Sequence, residues 1–157
     1  MKRLLVSLVL LFSFSAFSEE CIRALPTPIV DPKHSTVSTY SVKHNSGLEL
    51  VEYVELKTGL MFSISHFGCA HFSLSYEFSM MEELELGMIS QAIAYLSEVV
   101  SVAPIHTKFI IEHLSSLPDD YETPDEIVIT PGYDWIFLKV NNTRKERKFS
   151  ITYDIAL

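Results

Sequence analysis

Apolar and polar residues alternate along residues 48–56, 60–67 and 70–78 of this 157-residue chain. Successive side chains of a β-strand point to opposite faces, so the alternation predicts strands with one buried and one solvated face, as in an antiparallel sheet. Glu52 falls among the apolar positions of its segment and breaks the pattern. In the third segment the two faces are clearly separated: Phe72, Leu74, Tyr76 and Phe78 on one, Ser73, Ser75 and Glu77 on the other.

The spacing of the apolar residues changes after Ser79. They then recur every three to four positions, which predicts an amphipathic helix over about residues 80–101. Ser79 and Glu82 have the spacing of a capping box, so the predicted helix begins directly after Ser79. Gly87 weakens this helix by roughly 1 kcal/mol relative to alanine.

The remaining segments complete an α+β pattern. Residues 106–117 fit a second helix, and the apolar run 109–111 also fits a strand; we favour the helix. Apolar stretches over 127–130, 135–140 and 148–157 predict strands, the first two joined as a hairpin. Because strands and helices occur in separate blocks, the sequence predicts an α+β fold with a mostly antiparallel sheet and both helices on one face.

The N-terminus has the three parts of a secretory signal peptide. Lys2 and Arg3 precede an apolar segment, and the small residues Ala16 and Ser18 suit the positions before a cleavage site. The apolar segment is shorter than the ~20 residues of a membrane-spanning helix. We therefore expect a periplasmic or secreted protein with three regions: a cleaved signal peptide over 1–18, a proline-rich leader over 19–35 and a single α+β domain over 36–157.

Two cysteines, Cys21 and Cys69, follow the predicted cleavage site. Exported cysteines usually pair in an oxidising compartment, so we predict a disulfide between them that anchors the leader to the sheet. Its loop of about 48 residues corresponds to a stabilisation on the order of 4 kcal/mol. A metal site here is disfavoured, because His66 and His71 are five residues apart and fall on opposite faces of a strand. A paired cysteine also has no thiol for nucleophilic catalysis.

The chain is acidic, with 20 acidic and 12 basic residues and a formal net charge of −8. Loss of Lys2 and Arg3 with the signal peptide leaves ten basic residues and a net charge of −10. Such a chain repels nucleic acid and anionic membrane surfaces, so we expect neither as a partner and no stable membrane insertion after cleavage. A basic protein is the complementary partner.

No recognised catalytic motif occurs in the sequence. It contains no glycine-rich phosphate loop and none of the patterns G-x-S-x-G, H-E-x-x-H or S-x-x-K. We therefore expect a protein that is not an enzyme and that has no cofactor or metal.

The most distinctive predicted surface element is the acidic loop 118–126, which holds five acidic residues and two prolines. Tyr121 stands among these charges, and aromatic side chains of this kind are common at interface centres. The alternative is a solvated connector without a partner. Trp135, the single tryptophan, is predicted to lie in the core. The predicted partner-binding residues are Asp119, Asp120, Tyr121, Glu122, Asp125 and Glu126.

These features favour an exported, non-enzymatic protein that binds a protein partner. In its sharpest form the prediction is an inhibitor or immunity-like protein that acts on a basic envelope or cell-wall enzyme. Two alternatives stay open. One is a carrier of a small apolar ligand, held between helix 80–101 and the sheet, and the other is an enzyme whose site no motif reveals.

Overall fold

The structure, a computed structural model, describes residues 26–68, 71–79, 87–117, 126–130, 134–142 and 147–156. All strand pairings in this part of the chain are antiparallel. The predicted α+β fold, with an antiparallel sheet and two helices, is confirmed. The elements in chain order are β1 (Val37–Ser46), β2 (Glu49–Leu56), β3 (Met61–Gly68), β4 (His71–Ser79), α1 (Met88–Val99), α2 (Pro104–Leu114), β5 (Glu126–Thr130), β6 (Asp134–Asn142) and β7 (Arg147–Ala156).

The described strands form one seven-stranded sheet in the order β1-β2-β3-β4-β7-β6-β5. β1 to β4 pair in chain order, and β5 to β7 do the same from the opposite edge. The connection through the helices therefore leads from β4 to the far edge, and the last strand completes the sheet against β4. The tight β2–β3 turn requires Gly59, whose φ of 89° is strained for any residue with a side chain.

Both helices pack on the apolar face of the sheet. Leu74, Tyr76 and Phe78 of β4 are completely buried, together with Leu96 of α1 and Ile110 of α2, in one continuous core. Among the described residues, no helix lies on the opposite face. The alternation in the sequence thus identified the core face of the central strands correctly.

The first helix is shorter than the sequence predicted. Ser79, the expected cap, is the last residue of β4 and pairs with Lys148 of β7. Gly87 is the N-cap instead, with a ψ of 156°, and no side chain caps the helix. The predicted start at residue 80 is therefore wrong, because the strand ladder keeps Ser79 extended and glycine has a low helix propensity. Residues 80–86 lie outside the described part of the chain.

The second helix is confirmed, although it begins slightly earlier than expected. Pro104 takes its first position, where the fixed φ of proline favours helix initiation. Thr107 faces the sheet, and its hydroxyl lies 3.1 Å from the hydroxyl of Tyr76, with both side chains completely buried. Burial raises the pKa of Tyr76 to about 12, so its hydroxyl remains protonated at neutral pH. This hydrogen bond joins α2 to the centre of the sheet.

We expect the Tyr76–Thr107 hydrogen bond to be detectable by a double-mutant cycle. Tyr76→Phe or Thr107→Val leaves one buried hydroxyl without its partner, so each should lower the free energy of unfolding by about 1–2 kcal/mol. The double variant removes both hydroxyls and should lose less than the sum of the single losses, by about 1 kcal/mol. Urea unfolding at pH 7 measures all three values. Strictly additive losses would show that the two hydroxyls do not stabilise one another.

Candidate functional site

A buried polar cluster lies on the helix side of the sheet. Glu52 of β2 and His66 of β3 are 0% and 2% exposed, and Oε1 of the glutamate is 2.7 Å from Nε2 of the histidine. The hydroxyl of Tyr40 on β1 donates to Oε2 of Glu52 at 2.7 Å. Three neighbouring strands therefore bring polar side chains to a single point in a mostly apolar layer.

The same carboxylate holds the leader of the chain. The backbone N–H groups of Ile29 and Val30 donate to Oε1 and Oε2 of Glu52 at 2.9 and 3.2 Å. With His66 and Tyr40, the carboxylate accepts four hydrogen bonds, which matches its roughly four lone-pair sites. We call this arrangement of Glu52, His66, Tyr40 and the two backbone groups the Glu52 clasp. Its geometry indicates a structural attachment of the leader to β1, β2 and β3.

The clasp keeps Glu52 ionised. Burial by itself raises the pKa of this carboxyl, but hydrogen bonds from His66, Ile29 and Tyr40, together with the charge of His66, outweigh that effect. The pKa of Glu52 therefore lies below its ordinary value of 4.5. Burial, followed by the hydrogen bond to Glu52 and its negative charge, raises the pKa of Tyr40. Tyr40 thus remains a hydrogen-bond donor across the neutral range.

Sequence reasoning registered Glu52 only as a break in the alternation and missed its partnership with His66. His66 has the same parity as Phe62 and Ile64, so it also falls on a core position. Two polar residues on core positions of neighbouring strands are the signal that was available. Burial of a charged group is costly unless it is paired and hydrogen-bonded, so such residues call for mutual partners.

The second candidate site lies on the side of the sheet that faces away from both helices, which we call the open face. Tyr53 of β2 and Met61 and Phe67 of β3 expose 46%, 46% and 42% of their surface there. Small hydroxyl side chains occupy its centre, and a hydrogen bond of 3.0 Å joins the hydroxyls of Ser75 and Thr152 across β4 and β7. The open face thus combines exposed apolar groups with a hydroxyl-rich middle.

A groove of about 320 Å³ lies on the open face. Within it, Nζ of Lys148 is 2.6 Å from Oε1 of Glu77, and the hydroxyl of Thr39 donates to Oε2 of Glu55 at 3.0 Å. The groove therefore contains two carboxylates and one ammonium group. Its lining comes mainly from two adjacent rows of the sheet: Ser41, Tyr53, Ser63 and Glu77 in one, and Thr39, Glu55, Met61, Ser79 and Lys148 in the other.

Most of the residues that the sequence singled out lie outside the described part of the chain. Glu126 begins β5, where it pairs with Phe137 of β6. Trp135 was expected in the core, and this expectation is wrong: it is half-buried on the open face, because Ile136 and Leu138 take the core positions of β6. The other residues that the sequence singled out lie outside the described part of the chain, so the predicted disulfide and the predicted partner contacts stay predictions. These residues are Cys21, Cys69, Asp119, Asp120, Tyr121, Glu122 and Asp125.

Two further findings concern the described ranges only. They contain no group of three or more histidine, cysteine, aspartate or glutamate side chains arranged to hold a metal ion. Neither of the helices seen in this part of the chain is long and apolar enough to cross a membrane.

Comparison with known proteins gives no family for this chain. No family model matches it, and no curated protein or solved structure matches it either. The functional interpretation therefore depends on the geometry of the open face and on the properties of the sequence.

We expect Glu52→Gln to lower the free energy of unfolding at pH 7 by about 3 kcal/mol, because it replaces one buried carboxylate oxygen, which accepts two hydrogen bonds, by an amide nitrogen that cannot accept them. The pKa of Glu52 is lower in the folded protein than in the unfolded chain. Such a carboxyl stabilises the fold fully at pH values above its unfolded-state pKa, and this contribution is lost as the pH falls through its folded-state pKa. The difference between wild type and variant should therefore shrink below about pH 4.5. Urea unfolding between pH 3 and pH 7 gives the measurement.

Glu49→Gln is the matched control for this prediction. Glu49 lies on the same strand and is only half-buried, so its substitution should change the stability by about 0.5 kcal/mol or less. A loss at Glu52 that is equally small, or one that does not depend on pH, would contradict the clasp.

Proposed function

We propose that this chain is an exported, non-enzymatic binding protein that engages a protein partner through the open face of its sheet. In its sharpest form the proposal is an inhibitor or immunity-like protein for a basic envelope or cell-wall enzyme. The observation that carries it is the exposure of Tyr53, Met61 and Phe67 on one uncovered surface. Tyr53 and Met61 lie in adjacent rows of the sheet, and Phe67 lies four residues along β3 from the row of Tyr53. Apolar groups that share one exposed surface with polar neighbours support an interaction site there.

The size of the open face supports a protein partner. Seven strands spaced by ~4.8 Å, with about eight residues each at ~3.3 Å, give a surface of roughly 29 by 26 Å. That is about 750 Å², close to the ~800 Å² that each partner buries in a standard protein–protein interface. A partner that covers this face would bury the exposed aromatic and apolar groups completely.

The charge of the chain and its predicted export support a basic protein of the envelope or the exterior as the partner. The net charge of −8, or −10 after removal of the predicted signal peptide, favours association with a basic protein. The acidic loop 118–126 contributes five of the 20 acidic residues, and its last residue, Glu126, is the first residue of the edge strand β5. The predicted signal peptide supports an encounter in the periplasm or outside the cell.

The carrier alternative receives less support. It requires an apolar pocket between the first helix and the sheet, where the described side chains are closely packed. Leu96 of α1 and Phe78 and Ile136 of the sheet are completely buried in a single continuous core. The described groove lies on the other side of the sheet and has a mixed polar lining.

The proposal can be tested with the oxidised protein and a panel of purified cell-wall hydrolases that includes basic members, such as a lysozyme, and acidic ones. We expect binding and inhibition of a basic hydrolase, measured by calorimetry and by turnover of cell-wall substrate. Tyr53→Ser and Phe67→Ser should each weaken the complex by about tenfold or more, as expected for aromatic anchors. An increase in salt from 50 to 300 mM should weaken it as well, because salt screens the charge attraction.

Ile105→Ser is the control for these variants. Ile105 is 74% exposed on α2, on the other side of the sheet, so its substitution should leave the affinity unchanged. An equal loss for Ile105→Ser, or no effect of either open-face variant, would contradict binding through the open face.

Charge reversal of the loop tests its part separately. Lysine at all five acidic positions, Asp119, Asp120, Glu122, Asp125 and Glu126, should weaken the complex and reduce its salt dependence. A complex that is indifferent to these changes would leave the loop as a solvated connector.

A further inference from the structure

We propose that the groove on the open face receives a cationic side chain of the partner, arginine in preference to lysine. This inference rests on the proposed function, because it specifies what the partner presents to the open face. It is carried by the geometry of four groove residues: Tyr53, Glu55, Met61 and the ion-paired Glu77.

The first argument is the charge balance of the groove. Glu77 has its own cation, since its Oε1 lies 2.6 Å from the ammonium group of Lys148 across β4 and β7. Glu55 has no such cation within the described residues, and its one hydrogen bond there comes from the hydroxyl of Thr39. The charged side chains of the groove thus carry one negative charge in excess, and that charge is on Glu55. A ligand that completes the balance must be positive.

The second argument is the orientation of the Glu55 carboxylate. Thr39 donates to Oε2 at 3.0 Å, across the register pair that joins β1 and β2. This bond holds the side chain across β1 and β2 and leaves Oε1 as an acceptor without a hydrogen-bond donor among the described residues. A carboxylate that is already oriented loses little side-chain freedom when it binds a donor. Hydrogen bonds between ionised partners are also roughly twice as strong as neutral ones.

The third argument is the aromatic wall. Tyr53 and Glu55 lie on the same face of β2, two residues apart, which separates their Cα atoms by about 6.6 Å. Tyr53 is 46% exposed and lines the groove beside Glu55, so its side chain is accessible to a cation bound there. A planar guanidinium group stacks on an aromatic ring and pairs with a carboxylate at the same time, whereas an ammonium group is a compact, strongly hydrated charge. This combination is the reason for the preference for arginine.

The fourth argument concerns the stem of the incoming side chain. Met61 pairs with Glu55 across β2 and β3 and is 46% exposed. The aliphatic stem of an arginine covers apolar surface while its head remains at the carboxylate, so Met61 can pack against the stem. The volume of about 320 Å³ lies near the lower end of the ~300–1,000 Å³ of ligand sites, which suits a side chain better than a large ligand.

The test uses a short peptide as the probe, acetyl-Gly-Arg-Gly-amide, and the same peptide with citrulline in place of arginine. Citrulline keeps the shape of arginine but has no charge. Titrations of the isotope-labelled full-length protein, followed by amide NMR shifts, should show saturable changes at Tyr53, Glu55 and Ser63, with a dissociation constant on the order of millimolar for arginine. Citrulline should bind at least about tenfold more weakly, and the lysine peptide should lie between the two.

Glu55→Gln should weaken binding of the arginine peptide by about tenfold or more, because it removes the charged acceptor. Glu112→Gln is the matched control: Glu112 is also near a lysine, at 3.8 Å from Lys108, but it lies on α2, away from the open face. The Glu112→Gln variant should bind the arginine peptide with the same affinity as wild type. Equal binding of citrulline, shifts confined to other surfaces, or full affinity in Glu55→Gln would overturn the inference.

The outcomes also separate this inference from the proposed function. If a basic hydrolase binds wild type and Glu55→Gln equally well, yet loses affinity for Tyr53→Ser, the open face binds the partner and the arginine site is wrong. If the arginine peptide binds the groove and no member of the hydrolase panel binds the protein, the arginine site is supported and the hydrolase-inhibitor proposal fails.

Discussion

The arrangement of the helix-side layer depends on the carboxylate of Glu52. α1 and α2 have 12 and 11 residues, which corresponds to lengths of roughly 18 and 16 Å, so the helices cannot cover a sheet about 29 Å wide along its whole extent. Their aromatic contacts fall on β4 and β7, where Tyr95 meets both Phe78 and Phe149. The leader covers the neighbouring part of the sheet, and Val30 is buried there in the main core. A short extended segment has few contacts of its own, so it is held by the hydrogen bonds from Ile29 and Val30 to Glu52 and by the bond from the Asp31 N–H to the carbonyl of Val102 at 2.8 Å.

The same requirement explains why an ionised group is present in an apolar layer. A carboxylate with four donors is well satisfied, but each of these donors would itself lack a partner without it. Two of them are backbone N–H groups of the leader, which has no neighbouring strand to pair with in the described structure. Glu52 therefore takes the place of a strand neighbour for the leader and connects it to Tyr40 and His66.

The alternation of residues was sufficient to predict the strands and their core face, because the period of two survives in segments such as 70–78. The start of the first helix was not predictable from local pattern. Ser79 fits a helix cap by spacing, but its register pairing with Lys148, which is distant in the sequence, holds it in β4. Trp135 was assigned to the core by its type, whereas the parity of β6 places Ile136 there.

The two candidate sites were not predictable for the same reason, because the local sequence pattern does not reveal which residues the strand pairing makes neighbours. Glu52 and His66 each look like an isolated exception to the alternation, and only the pairing of β2 with β3 shows that they are neighbours. The groove likewise joins residues of five strands, among them Thr39 and Lys148, which no local motif connects. The acidity of the chain was visible from composition, but its distribution around Glu55 and Glu77 was not.

The sheet order also has a consequence for how the chain folds. The strands within β1–β4 and within β5–β7 pair with neighbours that are close in sequence. The two groups meet where β4 pairs with β7, which joins residues such as Ser75 and Thr152, 77 positions apart. Closure of a loop of that length costs about 3 kcal/mol more in chain entropy than closure of a short hairpin loop. The β4–β7 ladder therefore carries the highest loop-closure cost among the strand pairings of the described sheet. β7 follows β4 at a distance of 67 residues in the chain, so one edge of β4 has no partner until β7 (Arg147–Ala156) joins the sheet.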